Sequence, residues 1–129
     1  SPNSPKISFV SAPQDATLIS GDPVSADLGD LTGRMVSMGN VHRALPLTGA
    51  ICMATAARIE GSVVNRVLRP GNGDIRIIQP SGVIVCAAEV EHANGAWHAV
   101  KASVVRTQRR LFDGKVYVPA SAVKGLQAA

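Results

Sequence analysis

Hydrophobic and polar positions divide the chain into a helical first half and a strand-rich second half. The densest apolar stretch follows His42-Arg43-Ala44-Leu45-Pro46. From 47 to 59 nearly every residue is small or apolar, which predicts a helix that Gly61 stops. Ala50, Ala54 and Ala57 give that helix a narrow face, with Ile51 and Ile59 adding bulk beside it. A helix so apolar and thin is expected to be surrounded by other structure. Upstream, Ile7-Ser8-Phe9-Val10 predicts a strand. Leu28, Leu31, Met35 and Met38, three and four apart, predict a second helix over about 24–38, with Pro23 in its first turn, Gly39-Asn40 at its end and the methionines as core filler.

Downstream the period changes. Residues 74–79 and 83–91 read as strands separated by Pro80-Ser81-Gly82, and His92-Ala93-Asn94-Gly95 reads as a hairpin turn. Residues 97–107 form a third strand, in which Val100, Ala102 and Val104 alternate against Lys101 and Ser103. Runs 109–112 and 115–118 flank Asp113-Gly114, a turn of the same chemistry. The pattern predicts an α+β fold: two helices, then an antiparallel meander of four or five strands. Such a sheet hides one face, so it is expected to curl around the small-residue central helix.

Composition narrows the class. At 129 residues the chain is one domain able to bury a core, with 1–5 a linker and 120–129 a weakly patterned tail. One Trp, one Tyr and two Phe leave Val, Ile, Leu, Ala and Met to build that core. No apolar run approaches the roughly 18–20 residues of a membrane span, and no basic-then-apolar leader is present, so a cytoplasmic location without membrane contact is expected. Ser1-Pro2-Asn3-Ser4-Pro5, without an initiator Met, reads as the middle of a longer polypeptide; a processed or engineered N-terminus is the alternative.

The formal charge of +4 raises the question of nucleic acid. The basic residues are scattered apart from Arg106, Arg109 and Arg110, and aromatic residues are too few for a stacking platform, so no nucleic-acid partner is expected. Arginines facing a multiply charged carboxylate explain the balance equally well. Cys52 and Cys86 match no zinc spacing and are read as free buried thiols, with Cys52 in the core. Thr48 and Gly49 open the central helix, where unpaired backbone N–H groups favour an anion; Thr48 serves there as N-cap, as anion ligand, or as both. His92 and His98 belong to the hairpin and are expected at the surface.

Four blocks carry a resemblance: His42-Arg43-Ala44 with Thr48-Gly49-Ala50-Ile51; Ala56-Ala57-Arg58-Ile59-x-Gly61-x-Val63-Val64-Asn65; Pro80-Ser81-Gly82-Val83; and Val105-Arg106-Thr107-x-Arg109-Arg110-Leu111-x-x-Gly114-x-Val116-Tyr117-Val118-Pro119. Together they resemble the PrpF family of cofactor-independent 2-methylaconitate isomerases and 4-oxalomesaconate tautomerases, related in fold to diaminopimelate epimerase. The resemblance spans 4–119 and implies that the chain is the C-terminal half of a two-half isomerase, each half a sheet curled around a helix, with the active site between them.

The resemblance further implies a small carboxylic-acid substrate, no cofactor, no metal, and a missing N-terminal half that carries the catalytic Cys and Lys, so that the fragment alone is inactive. Substrate-binding candidates here are Thr48, Gly49, Ser81, Gly82, His42 and Arg43, the last able to clamp a carboxylate with two hydrogen bonds. Two positions depart from relatives. Pro46 stands where the epimerases keep a thiol, which favours isomerase or tautomerase chemistry over racemisation, and Gln79 stands where many relatives have His, able to hydrogen-bond a carboxylate but not to titrate. A homodimer is an open possibility. The rival class is a non-catalytic helix-in-sheet binding or dimerisation module; a hotdog thioesterase would want an acidic residue at the start of the central helix, where Thr48-Gly49-Ala50 stands.

Overall fold

A computed structural model describes residues 5–119; the expected tail, and all of the expected linker but Pro5, lie outside the described residues. Strand β1 (Ile7–Ser11) forms where the pattern predicts it. Two short strands, β2 (Ala16–Thr17) and β3 (Pro23–Val24), then pair with each other. Pro23 therefore opens no helix. It lies in extended backbone, and Ser25 caps a single 3-10 turn, Ala26–Leu28, its Oγ accepting from the Asp27 N–H at 3.3 Å.

The helix predicted over 24–38 does not form either. Leu31–Ser37 is strand β4, with Leu31, Gly33 and Met35 buried in alternation, while Leu28 and Met38 are exposed. The spacing of four between Leu31 and Met35 fits a period of two as well as 3.6, and Gly29 and Gly33 each weaken a helix by about 1 kcal/mol. Gly33 instead serves the sheet: a Cβ there would sit 3.0 Å from Met53 Sδ and 3.1 Å from Ile77 Cγ2. Met38 and Gly39, at φ 52° and 76°, make a two-residue hairpin turn into β5 (Asn40–Val41), not a helix stop.

The central helix, α1 (Leu47–Ala57), buries Gly49, Ala50, Met53, Ala54 and Ala57, an arc that contains all three predicted alanines. Its other side is open. Thr48 and Cys52 are exposed there, so the helix is covered rather than surrounded, and Cys52 is not a core thiol; Cys86 is. The residues 48 and 52 are one turn apart and fall opposite the buried arc. A short helix that the pattern did not indicate, α2 (Val63–Val67), follows, N-capped by Ser62.

Strands β6 (Ile75–Gln79), β7 (Gly82–Ala93) and β8 (Ala96–Val104) complete the sheet. The β7–β8 turn is the predicted Asn94-Gly95, both at positive φ, and His92 and His98 are exposed as expected. Strand order is β1-β4-β6-β7-β8, with β5 added on β4. The order is not a simple meander: β4 and β6 run parallel, Leu31 opposite Ile77, and the crossover that a parallel pair demands carries α1 and α2. The fold is α+β, the sheet curling over the buried arc of α1 around a core of Leu31, Met35, Ala50, Met53, Ala54, Ile75, Ile77 and Cys86.

β8 ends at Val104, short of the predicted 107, and the strands predicted over 109–112 and 115–118 do not form. Residues 105–119 carry no helix or strand, and Leu111, Phe112, Val116 and Tyr117 are at least three-quarters exposed. A lone ribbon is not stable without an apolar face packed on something, and nothing described covers this one. Among the described residues no helix is long and apolar enough to cross a membrane.

Candidate functional site

The site grows from the start of α1. Pro46 is its N-cap and has no side chain that accepts a hydrogen bond, so Thr48 is not the cap. The first bond of the helix runs from the Ala50 N–H to the Pro46 carbonyl at 2.9 Å, and the first turn carries no acidic residue. The N–H groups of Leu47, Thr48 and Gly49 therefore project from the helix end with its partial positive charge. Gly49 is buried because the helix start presses on β4: a Cβ at this position would lie 3.0 Å from Met35 Sδ.

Facing this end is the turn between β6 and β7. Gln79, inward-pointing like Ile75 and Ile77 on β6, is 7% exposed. Its Oε1 accepts from the Leu45 N–H at 3.0 Å and the Ser81 N–H at 3.3 Å, and its Nε2 donates to Ser81 Oγ at 2.8 Å. The turn is held from outside by the Ile19 N–H, which donates to the Pro80 carbonyl at 2.8 Å. Gly82, at φ 138°, takes a backbone conformation that side-chain-bearing residues avoid, and so lets β7 leave the turn directly.

Between the helix start and the turn lies an open cavity of about 500 Å³, walled by Ala44, Leu45, Leu47, Gln79, Ser81, Val83, Arg106 and Thr107. Of the residues singled out in the sequence, it gathers Ser81 directly, together with Arg106 of the arginine cluster; Arg109 and Arg110 are exposed elsewhere on the 105–119 run. Thr48 is exposed one residue beyond Leu47, and Gly82 adjoins Ser81. Arg43 is exposed beside Ala44. His42 is half-buried, its backbone N–H donating to the Met35 carbonyl at 2.8 Å and its ring Nε2 buried without a partner.

Gln79 does not present a free amide to a ligand, since its acceptor and one donor are occupied inside the protein. The signal for its burial was legible: it continues the inward alternation of Ile75 and Ile77. Arg106 and Thr107 line the cavity just beyond β8, whose pairing with β7 is carried one residue further by the Val105 N–H donating to the Val85 carbonyl at 3.0 Å.

A second cavity, about 320 Å³, lies at the other end of the helix between Asp30, Arg58, Arg69 and Arg76. Its guanidinium groups are already engaged. Arg76 Nη2 and Nε donate to Asp30 Oδ1 and Oδ2 at 2.7 and 3.1 Å, and the Arg76 N–H adds 2.8 Å to Oδ2. Arg58 reaches the Gly71 and Gly73 carbonyls, and Arg69 the Ala26 carbonyl at 3.2 Å. The side-chain hydrogen bonds from Arg76 hold the Asp30 carboxyl below the usual carboxylate range, against the opposing pull of burial. This end is a brace.

The sequence profile of a family described as PrpF protein matches residues 1–119. The chain is 39% identical over 120 residues to a 2-methyl-aconitate isomerase of Shewanella oneidensis, covering 91% of this chain and 30% of the relative. It is 40% identical over 121 residues to a 3-methylitaconate isomerase of Eubacterium barkeri, covering 92% of this chain and 31% of the relative. A crystal structure titled methylitaconate-delta-isomerase superposes with a TM-score of 0.68 at 32% identity, over 81% of this chain and 30% of that one. The chain thus spans about 30% of the length of the relatives it matches.

Proposed function

The chain belongs to the PrpF family, and from that premise we propose that it is the C-terminal domain of a cofactor-independent isomerase or tautomerase that moves a double bond in unsaturated di- or tricarboxylic acids. The observation that carries the reading is the cavity where the uncapped start of α1 faces the Ser81 turn and Arg106. Moving a double bond removes a proton from one carbon and returns one to another, through an enolate-like intermediate whose charge spreads into a carboxylate. Backbone N–H groups at a helix start and a guanidinium are suited to that charge, because they are in place before it develops.

In this proposal one substrate carboxylate sits on the N–H groups of Thr48 and Gly49 and the Thr48 hydroxyl, and another on Ser81-Gly82 and Arg106, the last of these and Ser81 lining the cavity; His42 and Arg43 precede the helix start in the chain and do not line the cavity. The proton-transfer groups come from a companion half, as does the remaining wall of the open cavity. The exposed apolar residues Leu111, Phe112, Val116 and Tyr117 support such a second body, since nothing described covers them. By itself the chain is then inactive.

The test joins this chain to the remaining part of the Shewanella oneidensis relative and follows 2-methylaconitate by proton NMR. Turnover is expected from the joined protein and none from the chain alone. In the joined protein Ser81→Ala is expected to cost roughly 10²-fold in kcat, on the scale of losing one donor to a developing oxyanion. Turnover by the chain alone sinks the two-half reading, and an unaltered Ser81→Ala rate removes the turn from the site.

A further inference from the structure

Gln79 is the one polar residue counted in the buried core of the described residues. A buried primary amide is costly unless its donors and acceptor are matched, and an apolar residue after Ile75 and Ile77 would extend the core more simply. Here the amide is matched by groups from both walls of the first cavity. Leu45, which gives its N–H to Oε1, precedes the helix cap Pro46; Ser81, which receives Nε2, is the β6–β7 turn, 34 residues from Leu45 to Gln79 along the chain. Leu45 N–H can only donate, so it fixes which end of the amide is oxygen.

We infer that Gln79 is a positioning residue of the carboxylate cavity: it locks the start of α1 against the Ser81 turn and orients the Ser81 hydroxyl to donate into the cavity. The inference rests on the carboxylate reading of that cavity. Its second half follows from the bond pattern. Oε1 takes the Leu45 N–H at 3.0 Å and the Ser81 N–H at 3.3 Å, Nε2 occupies a lone pair of Ser81 Oγ at 2.8 Å, and the Ser81 hydroxyl donates back to Oε1 at 3.1 Å. With an anion in the cavity, the hydroxyl hydrogen is directed outward to it. An amide does not titrate, so this arrangement holds across the physiological pH range, which an imidazole or a carboxylate at the same position would not allow.

Two variants separate the parts. Gln79→Met removes every bond; Gln79→Glu keeps an acceptor for the Leu45 N–H but cannot donate to Ser81 when ionised. Hydrogen exchange by NMR, with no ligand present, is expected to show the Leu45 amide protected in wild type and Gln79→Glu and exchanging at least tenfold faster in Gln79→Met. Titration with cis-aconitate, followed at the Ser81 and Gly82 amides, is expected to give at least tenfold weaker binding for Gln79→Glu at pH 8. The ratio to wild type should shrink toward pH 5 as the introduced carboxyl protonates; taking the ratio at each pH cancels the ligand's own titration.

Unchanged Leu45 exchange in Gln79→Met overturns the lock. Equal cis-aconitate affinity of wild type and Gln79→Glu overturns the orientation, while leaving the carboxylate reading standing. Wild type that does not bind cis-aconitate at these amides overturns the carboxylate reading, and the orientation with it, whatever the exchange experiment shows about the lock.

Discussion

At the C-terminal end of α1 the chain closes on itself, and at the N-terminal end it does not. The last carbonyls of the helix are each met: Thr55 by the Arg58 N–H at 3.0 Å, Ala56 by Ser62 Oγ at 2.6 Å, Ala57 by Asn65 Nδ2 at 2.8 Å. Around them Arg58, Arg69 and Arg76 bind backbone carbonyls and Asp30. The first N–H groups of the same helix meet no capping side chain, and Leu47 at that end lines an open cavity. Helix ends in folded proteins are normally satisfied, so the unequal treatment of the two ends teaches where a ligand is expected. Both cavities hold arginine. Only the N-terminal one lies at a helix start that no side chain caps.

The largest contrast is expected between the two thiols, one on the open side of α1 and one under the sheet. Cys52 should react with a disulfide reagent within minutes. Cys86 should wait for unfolding, orders of magnitude more slowly, since it is buried and burial pushes its thiol pKa up. Comparable labelling rates in the native protein would show that the sheet does not seal the core.

Next is the brace. Asp30→Ala should lower stability by about 1–2 kcal/mol, a charge-assisted set discounted for the partial exposure of its partner, and leave cis-aconitate binding unchanged. Because the folded-state pKa of Asp30 is lowered, its contribution is complete above the ordinary carboxylate range and is lost as the pH falls through the lowered value. Thermal melts from pH 7 to pH 3 should therefore show an acid-induced loss in wild type that is smaller in Asp30→Ala. A variant that melts like wild type at neutral pH, or that loses anion binding, breaks the division of labour between the ends.

The smallest stability effect belongs to the open end. Thr48 is exposed and caps nothing, so Thr48→Val should move stability by no more than about 0.5 kcal/mol. The same change is expected to weaken cis-aconitate several-fold. A large loss of stability would mean that Thr48 supports the helix after all.

Local chemistry made α1 and the second hairpin legible: Ala50, Ala54 and Ala57 share one arc, and Asn94-Gly95 carries its own turn geometry. β4 is ambiguous in the sequence because Leu31 and Met35 satisfy both periods, and the reason for Gly33 lies in Met53 and Ile77, residues distant in sequence. The pairing of Leu31 with Ile77 that makes the sheet mixed is likewise nonlocal. The strand pattern after 108 is present in the residues, yet its apolar side has no cover among the described residues, and pattern without packing does not hold a ribbon. At the candidate site, Ser81 stands out in the sequence by its Pro80-Ser81-Gly82 motif, and it lines the cavity. What Gln79 does depends on Leu45 arriving opposite it, and no spacing along the chain announces that.

The most direct measurement is an amide-resolved NMR titration of this chain with cis-aconitate. Saturable shifts are expected at Leu47, Ser81 and Arg106, which line the first cavity, and at Thr48 and Gly49 in the adjoining helix start, with Arg58, Arg69 and Arg76 silent. Shifts confined to the arginines at the braced end, or none at the helix start, would contradict the assignment of the carboxylate site.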